Sequence, residues 1–413
     1  MHAKPAERVP WKFRSPLRRN AFGWRGSRPA IKRIDEALAE IRAAARRDPV
    51  LGAEGAVIFL EKISPALCQV DSSSGALGGA THWAVKELVP IIAAAAVSEV
   101  VRSRWLDRLF QAIQEDDPPY IESLGDHWGE LCVTPALASH WADALMPGVK
   151  RAYEERRRGT FVWFNGTSPC YSALFTAGRH DELLALLSLD PHPSWSYSEW
   201  GGRVLAARGQ PDEAIAYVVS HAGINTPMGA LARFAEQALL DAGRRAEAYE
   251  RYGIEANQAN SRLATYRAIA KKYPEIEPER LLPDLIASRP GEEGKWFATA
   301  KSLGRLDLAL SLARRSPCDP KTLTRAARDH LAKHPAFALE AALAALYWMS
   351  EGHGYELTAM DAHEAYRHAL GAAERIGQTE RVAQRVRQFV SRGDATARWL
   401  REALGLVGES GQG

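Results

Sequence analysis

Five short turns, each a glycine followed by Arg or Gln, punctuate this 413-residue chain from Gly178 onward. They are Gly178-Arg179, Gly209-Gln210, Gly243-Arg244, Gly304-Arg305 and Gly377-Gln378. In sequence number, successive glycines stand 31, 34, 61 and 73 apart. Each turn lies between two apolar stretches of helical period. The first two spacings fit one helix-turn-helix unit and the third nearly two, since a tetratricopeptide-type α-solenoid repeats about every 34 residues. Glycine has a physical reason to be there: it takes the left-handed conformation that closes a helix at little steric cost. The pattern predicts an all-α fold, an α-solenoid of antiparallel helix pairs.

The apolar stripes agree. Leu231, Phe234, Ala235, Ala238, Leu239 and Ala242 recur at i, i+3, i+4, i+7, i+8 and i+11 before Gly243. Ala214, Ile215, Val218, Val219 and Ala222 follow Gly209, and Leu306, Ala309, Leu310 and Ala313 follow Gly304. Such a stripe must be buried against a neighbouring helix. Residues 257–288 fill the long interval with a helix pair broken at Pro274 and Pro278, whose turn lacks the Gly-Arg signature. Helices near 379–391 and 395–405 are expected to cap the array.

The chain before Phe161 is helical but less regular, resembling HEAT or armadillo pairs. Ile31, Ile34, Leu38, Ile41 and Ala45 form one stripe that starts near Pro29 and stops at Asp48-Pro49. A helix over 53–63 ends near Ser64-Pro65. Asp71, Ser72, Ser73 and Ser74 offer N-cap oxygens to the next. Asp117-Pro118-Pro119 breaks another, and Pro147 is expected to kink or split the helix that begins at Pro135. The chain therefore divides into a basic aromatic arm (1–29), an irregular helical region (30–159), a tetratricopeptide-like solenoid (160–405) and a disordered tail (406–413).

Charge is unevenly spread. The net +3 of the whole chain combines +9 in residues 1–33 with −6 in the remainder. The four cysteines, Cys68, Cys132, Cys170 and Cys318, are isolated, which excludes a CxxC zinc or disulfide framework and points to a reducing compartment. The longest apolar run, residues 88–97, is half of the roughly 20 residues a membrane span needs. A cytoplasmic protein with no membrane partner is expected.

Motifs for chemistry are near misses. His363-Glu364 with His368 has the second imidazole at i+5, about 140° from the first on a helix, so the two cannot share one zinc as in HExxH. Gly294-Lys295 lacks the upstream glycine and the Ser/Thr of a phosphate-binding loop. No metal or cofactor is expected. The densest polar cluster is Asp126-His127-Trp128-Gly129-Glu130, which reads either as a catalytic or metal loop or as a helix-capping loop around a packed tryptophan. Two aromatic groups, Trp195, Tyr197 and Trp200 in one and Phe161, Trp163 and Phe164 in the other, read either as partner anchors or as filling between helices. Glu292, Lys295 and Trp296 read as a partner-binding loop or as the acidic first turn of a helix. In the arm, Arg14, Arg18, Arg19, Arg25, Arg28 and Lys32 interleave with Trp11, Phe13, Phe22 and Trp24. That mixture suits phosphates and bases, yet the aromatics would equally pack onto the helices.

Several segments carry a resemblance: FGWR from Phe22, DPVLGAEGAV from Asp48, DSSSGALG from Asp71, GEEGKWFA from Gly291 and SPCDPKTLTRAARD from Ser316. Together they resemble a family of uncharacterised bacterial proteins over most of the chain. From about Asn257 the chain also resembles the helical region that follows the zinc module in bacterial SWIM-type zinc-finger proteins. That module's CxC and CxH are absent, so the resemblance implies helical architecture and no zinc. The sequence favours a non-enzymatic scaffold for a protein or peptide partner. The alternatives are a nucleic-acid-binding solenoid that uses the basic arm, and an enzyme with its site near Asp126 and Glu130.

Overall fold

The computed structural model describes residues 11–160 and 162–406. Lys4, Arg8, Phe161 and the tail beyond 406 lie outside the described residues. The fold is all-α and solenoid-like, with helices packed in adjacent pairs and no strand among the described residues.

Two compact units divide the chain, Met1–Thr226 and Pro227–Gly413. The boundary expected at 159/160 falls inside the first unit. Its core runs without a break from Trp11 to Val204, and side chains bridge the expected seam. The Tyr153 and Tyr171 hydroxyls hydrogen-bond, and the Arg156 guanidinium, buried, meets the buried Asp190 carboxylate at 3.3 Å.

The first unit begins with a 3-10 turn, Lys12–Arg14, followed by α1 (Ser27–Ala45), α2 (Pro49–Leu67), α3 (Ala76–Ala94) and α4 (Glu99–Gln114). A 3-10 turn, Glu122–His127, leads into α5 (Trp128–Cys132), and α6 (Pro135–Arg157), α7 (Thr167–Thr176), α8 (His180–Leu187), α9 (Trp195–Ala207) and α10 (Pro211–Ser220) complete it. The proline and serine turns refine the expectations. Asp48-Pro49 starts a helix as well as ending one: its carboxylate caps the Val50 and Leu51 amides and proline takes the first helical position. Helix α2 runs on past Ser64-Pro65 to Leu67. The Asp71 carboxylate accepts from the Ser73 amide within its own turn, Gly75 takes the N-cap position of α3, and the Ser74 hydroxyl lies 3.4 Å from the Ala76 amide that opens the helix. Helix α6 is not split at Pro147.

The second unit holds α11 (Met228–Asp241), α12 (Arg245–Ala248), α13 (Ile254–Ala256), α14 (Arg262–Lys272) and α15 (Pro278–Ala287), the first two of the short helices joined by a π turn at Tyr249–Gly253. Then come α16 (Phe297–Ser302), α17 (Leu306–Arg315), α18 (Pro320–His330), α19 (Pro335–Ser350), α20 (Ala359–Ile376), α21 (Thr379–Val390) and α22 (Ala395–Ala403). Helix α19 is apolar around its circumference because α18 and α20 both pack on it, with α17 and α21 adding further contacts.

The five glycine turns share one geometry in both units. Every turn glycine has φ between +68° and +76°. In each, the amide of the next residue reaches back five positions: Arg179 to the Leu174 carbonyl, Gln210 to Leu205, Arg244 to Leu239, Arg305 to Ala300 and Gln378 to Ala373. That is the Schellman closure. The same Arg or Gln then stands as the N-cap residue of the following helix. At Gly178 and Gly243 its guanidinium pairs with a glutamate three residues on, Arg179 with Glu182 and Arg244 with Glu247. One dipeptide therefore ends one helix and opens the next.

Candidate binding site

The aromatics expected to anchor a partner sort by burial. Trp200 is buried between Phe175 and the Arg203 guanidinium, which lies 4.4 Å from its ring centroid. Tyr197 is buried edge-on against Tyr171. Trp195 is half-buried. In the second unit Trp296 is buried and covered by Arg262, while Glu292 pairs with Lys295 and Arg262, both at 2.7 Å. That loop closes on itself, and its tryptophan is not presented to a partner.

One feature of the first unit has open space and unspent charge. A cavity of about 560 Å³ lies between the 113–126 segment and the Trp163–Ser168 stretch, with Ser196 and Tyr197 at its side. Four carboxylates line it, from Asp116, Asp117, Glu122 and Asp126, and no described Lys, Arg or His does. Its other wall is aromatic: Trp163, 55% exposed, stacks on Tyr197 at 6.2 Å between ring centroids, and Phe164 lies beside it.

The acids are held differently. Asp116 is structural, taking the Tyr120 amide at 2.9 Å on one oxygen and the Ile121 amide at 2.7 Å on the other. Burial still pushes its carboxyl above the ordinary aspartate value. Asp126 is pushed up by loss of solvent, and Arg203, a hydrogen bond from Ser168 and His127 offset only part of that. Glu122 is exposed at the rim, and its carboxyl is raised by partial desolvation first and by the Asp116 and Asp126 charges second. Loss of solvent, the largest cause at all three, disfavours the ionised form, and at Asp116 and Asp126 the neighbouring donors and charges offset only part of it. Among the described residues no three His, Cys, Asp or Glu are grouped to hold a metal ion. The negative charge is spread along a wall, which suits an extended organic cation better than a compact ion.

No protein-family profile matches the chain, and no curated protein is similar to it.

The 126–130 cluster splits accordingly. Asp126 faces the cavity, whereas Trp128 is fully buried edge-on against Trp141 at 5.0 Å, and His127 meets Glu130 at 3.3 Å outside the lining. Trp163 was legible only as one of several aromatics, and Asp117 only as a helix breaker. Glu122 had no sequence signal at all. A second cavity, about 510 Å³, touches Asp190, Ser198 and His221, the residue types of a hydrolytic triad. Two of them are committed elsewhere: Asp190 holds Arg156, and the His221 Nδ1 lies 2.8 Å from the Tyr217 carbonyl.

The basic arm is folded where it is described. Trp11, Phe13 and Leu17 are buried, with Trp11 filling the space above Gly55 and Phe13 edge-on to Phe59 at 5.9 Å. The Lys12 and Phe13 amides donate to the Glu40 carboxylate. Arg14, Arg18, Arg19, Arg25, Arg28 and Lys32 are all exposed, as is Trp24. No described helix is long and apolar enough to cross a membrane.

Proposed function

We propose that the chain is a non-enzymatic helical-repeat scaffold that holds a protein or peptide partner, and that the partner presents a basic side chain to the acidic, aromatic-walled cavity of the first unit. The observation that carries this reading is the combination of four lining carboxylates, no lining cation among the described residues, and an exposed Trp163 face. A guanidinium or ammonium entering there would supply the charge that Asp126 and Glu122 lack and would lie against an aromatic ring, a contact worth about 0.5–2 kcal/mol. The tetratricopeptide-like turns and the resemblance to bacterial helical proteins belong to the same reading, since helical repeats commonly recognise partners along an extended face.

The test is fluorescence anisotropy with a labelled Lys/Arg-rich peptide, an acidic peptide of equal length and a neutral oligosaccharide. Binding of the basic peptide alone is expected, weakened about tenfold by Trp163→Ala and at least as much by the double variant Asp126→Asn, Glu122→Gln. Equal binding of the acidic peptide or the sugar, or indifference to these substitutions, would overturn the proposal.

A further inference from the structure

The exposed cations of the N-terminal turn have no acidic partner within the described fold. Arg14, Arg18, Arg19, Arg25 and Arg28 make no side-chain hydrogen bond or ion pair with another described residue, while nearby Arg33 is taken by Glu36 at 2.6 Å and Lys32 approaches the same carboxylate at 3.9 Å. Several other arginines in the same unit are paired: Arg108 with Glu54 and Glu61, Arg179 with Asp143 and Glu182, Arg208 with Asp181.

The turn that carries them is fixed. The Asn20 amide donates to the Pro65 carbonyl at 2.9 Å, the Asp71 amide to the Trp24 carbonyl at 2.9 Å, and the Ser27 hydroxyl to the Asp71 carbonyl at 3.2 Å. The apolar residues before it are spent as anchors in the core. Trp24 is not: it is 69% exposed, between Arg18-Arg19 on one side and Arg25 and Arg28 on the other in sequence.

We infer that this turn is a binding surface for single-stranded nucleic acid. Guanidinium groups take phosphate oxygens in a bidentate fork. An exposed indole offers a face on which an unpaired base can stack, and such stacking is worth about 1–3 kcal/mol per base. The bases of a duplex are already stacked, so Trp24 favours a single strand. An anionic membrane would also attract the arginines, but interfacial binding requires an apolar face to insert. Here Trp11, Phe13 and Leu17 are buried, leaving Trp24 as the one exposed large apolar side chain in the described part of the turn. This surface and the acidic cavity have opposite charge and share no lining residue, so either proposal can fail without the other.

The test uses the full chain and a labelled 20-nucleotide oligo(dT), followed by anisotropy at 50 to 300 mM salt. Binding should weaken with a log–log salt slope of about −3 to −4 if five phosphates are neutralised, at roughly 0.7 each for a single strand. The triple variant Arg18→Glu, Arg19→Glu, Arg25→Glu should lose at least tenfold in affinity and flatten that slope. Trp24→Ala should lose about tenfold while leaving the slope unchanged, and a duplex of the same length should bind more weakly than the strand. These side chains are exposed and make no described pair, so the thermal midpoint of each variant should match the parent. No binding at 50 mM salt, a Trp24→Ala variant equal to the parent, or capture by phosphatidylserine vesicles without binding of the oligonucleotide would each overturn the assignment.

Discussion

Glu236 in the second unit and Asp126 in the first both hold a carboxylate away from bulk water, but their surroundings differ in one respect. Glu236 is fully buried and its two oxygens take three donors, the Asn257 amide, the Lys272 ammonium and the Tyr273 hydroxyl, each at 2.6 Å. Asp126 sits at a cavity wall with Asp116, Asp117 and Glu122, under-supplied with positive charge. A carboxylate whose donors come from its own chain ties helices together, here α11 to the end of α14. One whose donors and neighbouring cations only partly offset its desolvation costs the fold stability, and a charge brought from outside gives it a use. Counting donors thus separates architecture from site.

The largest effect that could break this comparison is at Glu236. Glu236→Ala would leave an ammonium, a phenol and an amide without their acceptor, and removing one partner of a buried pair costs about 3–5 kcal/mol. Lys272 is partly exposed and can regain water, so the low end, about 3 kcal/mol, is expected from equilibrium urea unfolding. A loss below about 1 kcal/mol, the centre of the range for ordinary substitutions, would mean the network is not holding α11 in place.

In the first unit the signs should differ between neighbouring acids. Asp116→Asn removes one acceptor from a pair of buried backbone amides and should cost about 1–2 kcal/mol. Asp126→Asn should stabilise. The folded state raises the Asp126 pKa, so folding favours the protonated form. That contribution is complete below the ordinary aspartate value of about 3.9 and is lost as pH rises through the folded value. The Asp126→Asn variant should thus match the parent near pH 4 and melt higher at pH 7, in thermal scans across that range. A pH-independent difference, or a variant less stable at pH 7, would contradict the account of the cavity as an unsatisfied site.

Much of the architecture was legible because the glycine turns act locally. A left-handed residue and a helix N-cap require only a few neighbours, so Gly178 through Gly377 could be placed from spacing alone. The unit boundary was not legible, because it depends on contacts between residues far apart in sequence, such as Arg156 with Asp190, that no local pattern records. The arm was half legible: interleaved Trp and Arg marked it, but burial of Trp11 and Phe13 with exposure of Trp24 depends on the α2 surface beneath. The cavity was least legible. Its acids come from a broken loop before α5, its aromatic wall from the segment that follows α6, and only the fold brings Asp126 and Trp163 to one space.

The smallest expected effect tests whether the two units share their turns while differing in their carboxylates. Gly209 lies in the first unit and Gly304 in the second, both at φ +76°, and a Cβ added at either meets nothing within 4 Å. With sterics absent, the cost of alanine is the left-handed backbone itself, about 1 kcal/mol. Gly209→Ala and Gly304→Ala should therefore cost the same within about 0.5 kcal/mol in urea unfolding, the ordinary scatter of surface changes, although they sit in different units. Asparagine tolerates the left-handed region better than alanine, so Gly209→Asn and Gly304→Asn should each recover part of the loss. Neither change should alter basic-peptide binding, since no turn glycine lines the cavity. Unequal costs at the two glycines would show that the turn takes strain from its unit, and the shared punctuation would then not be an independent module.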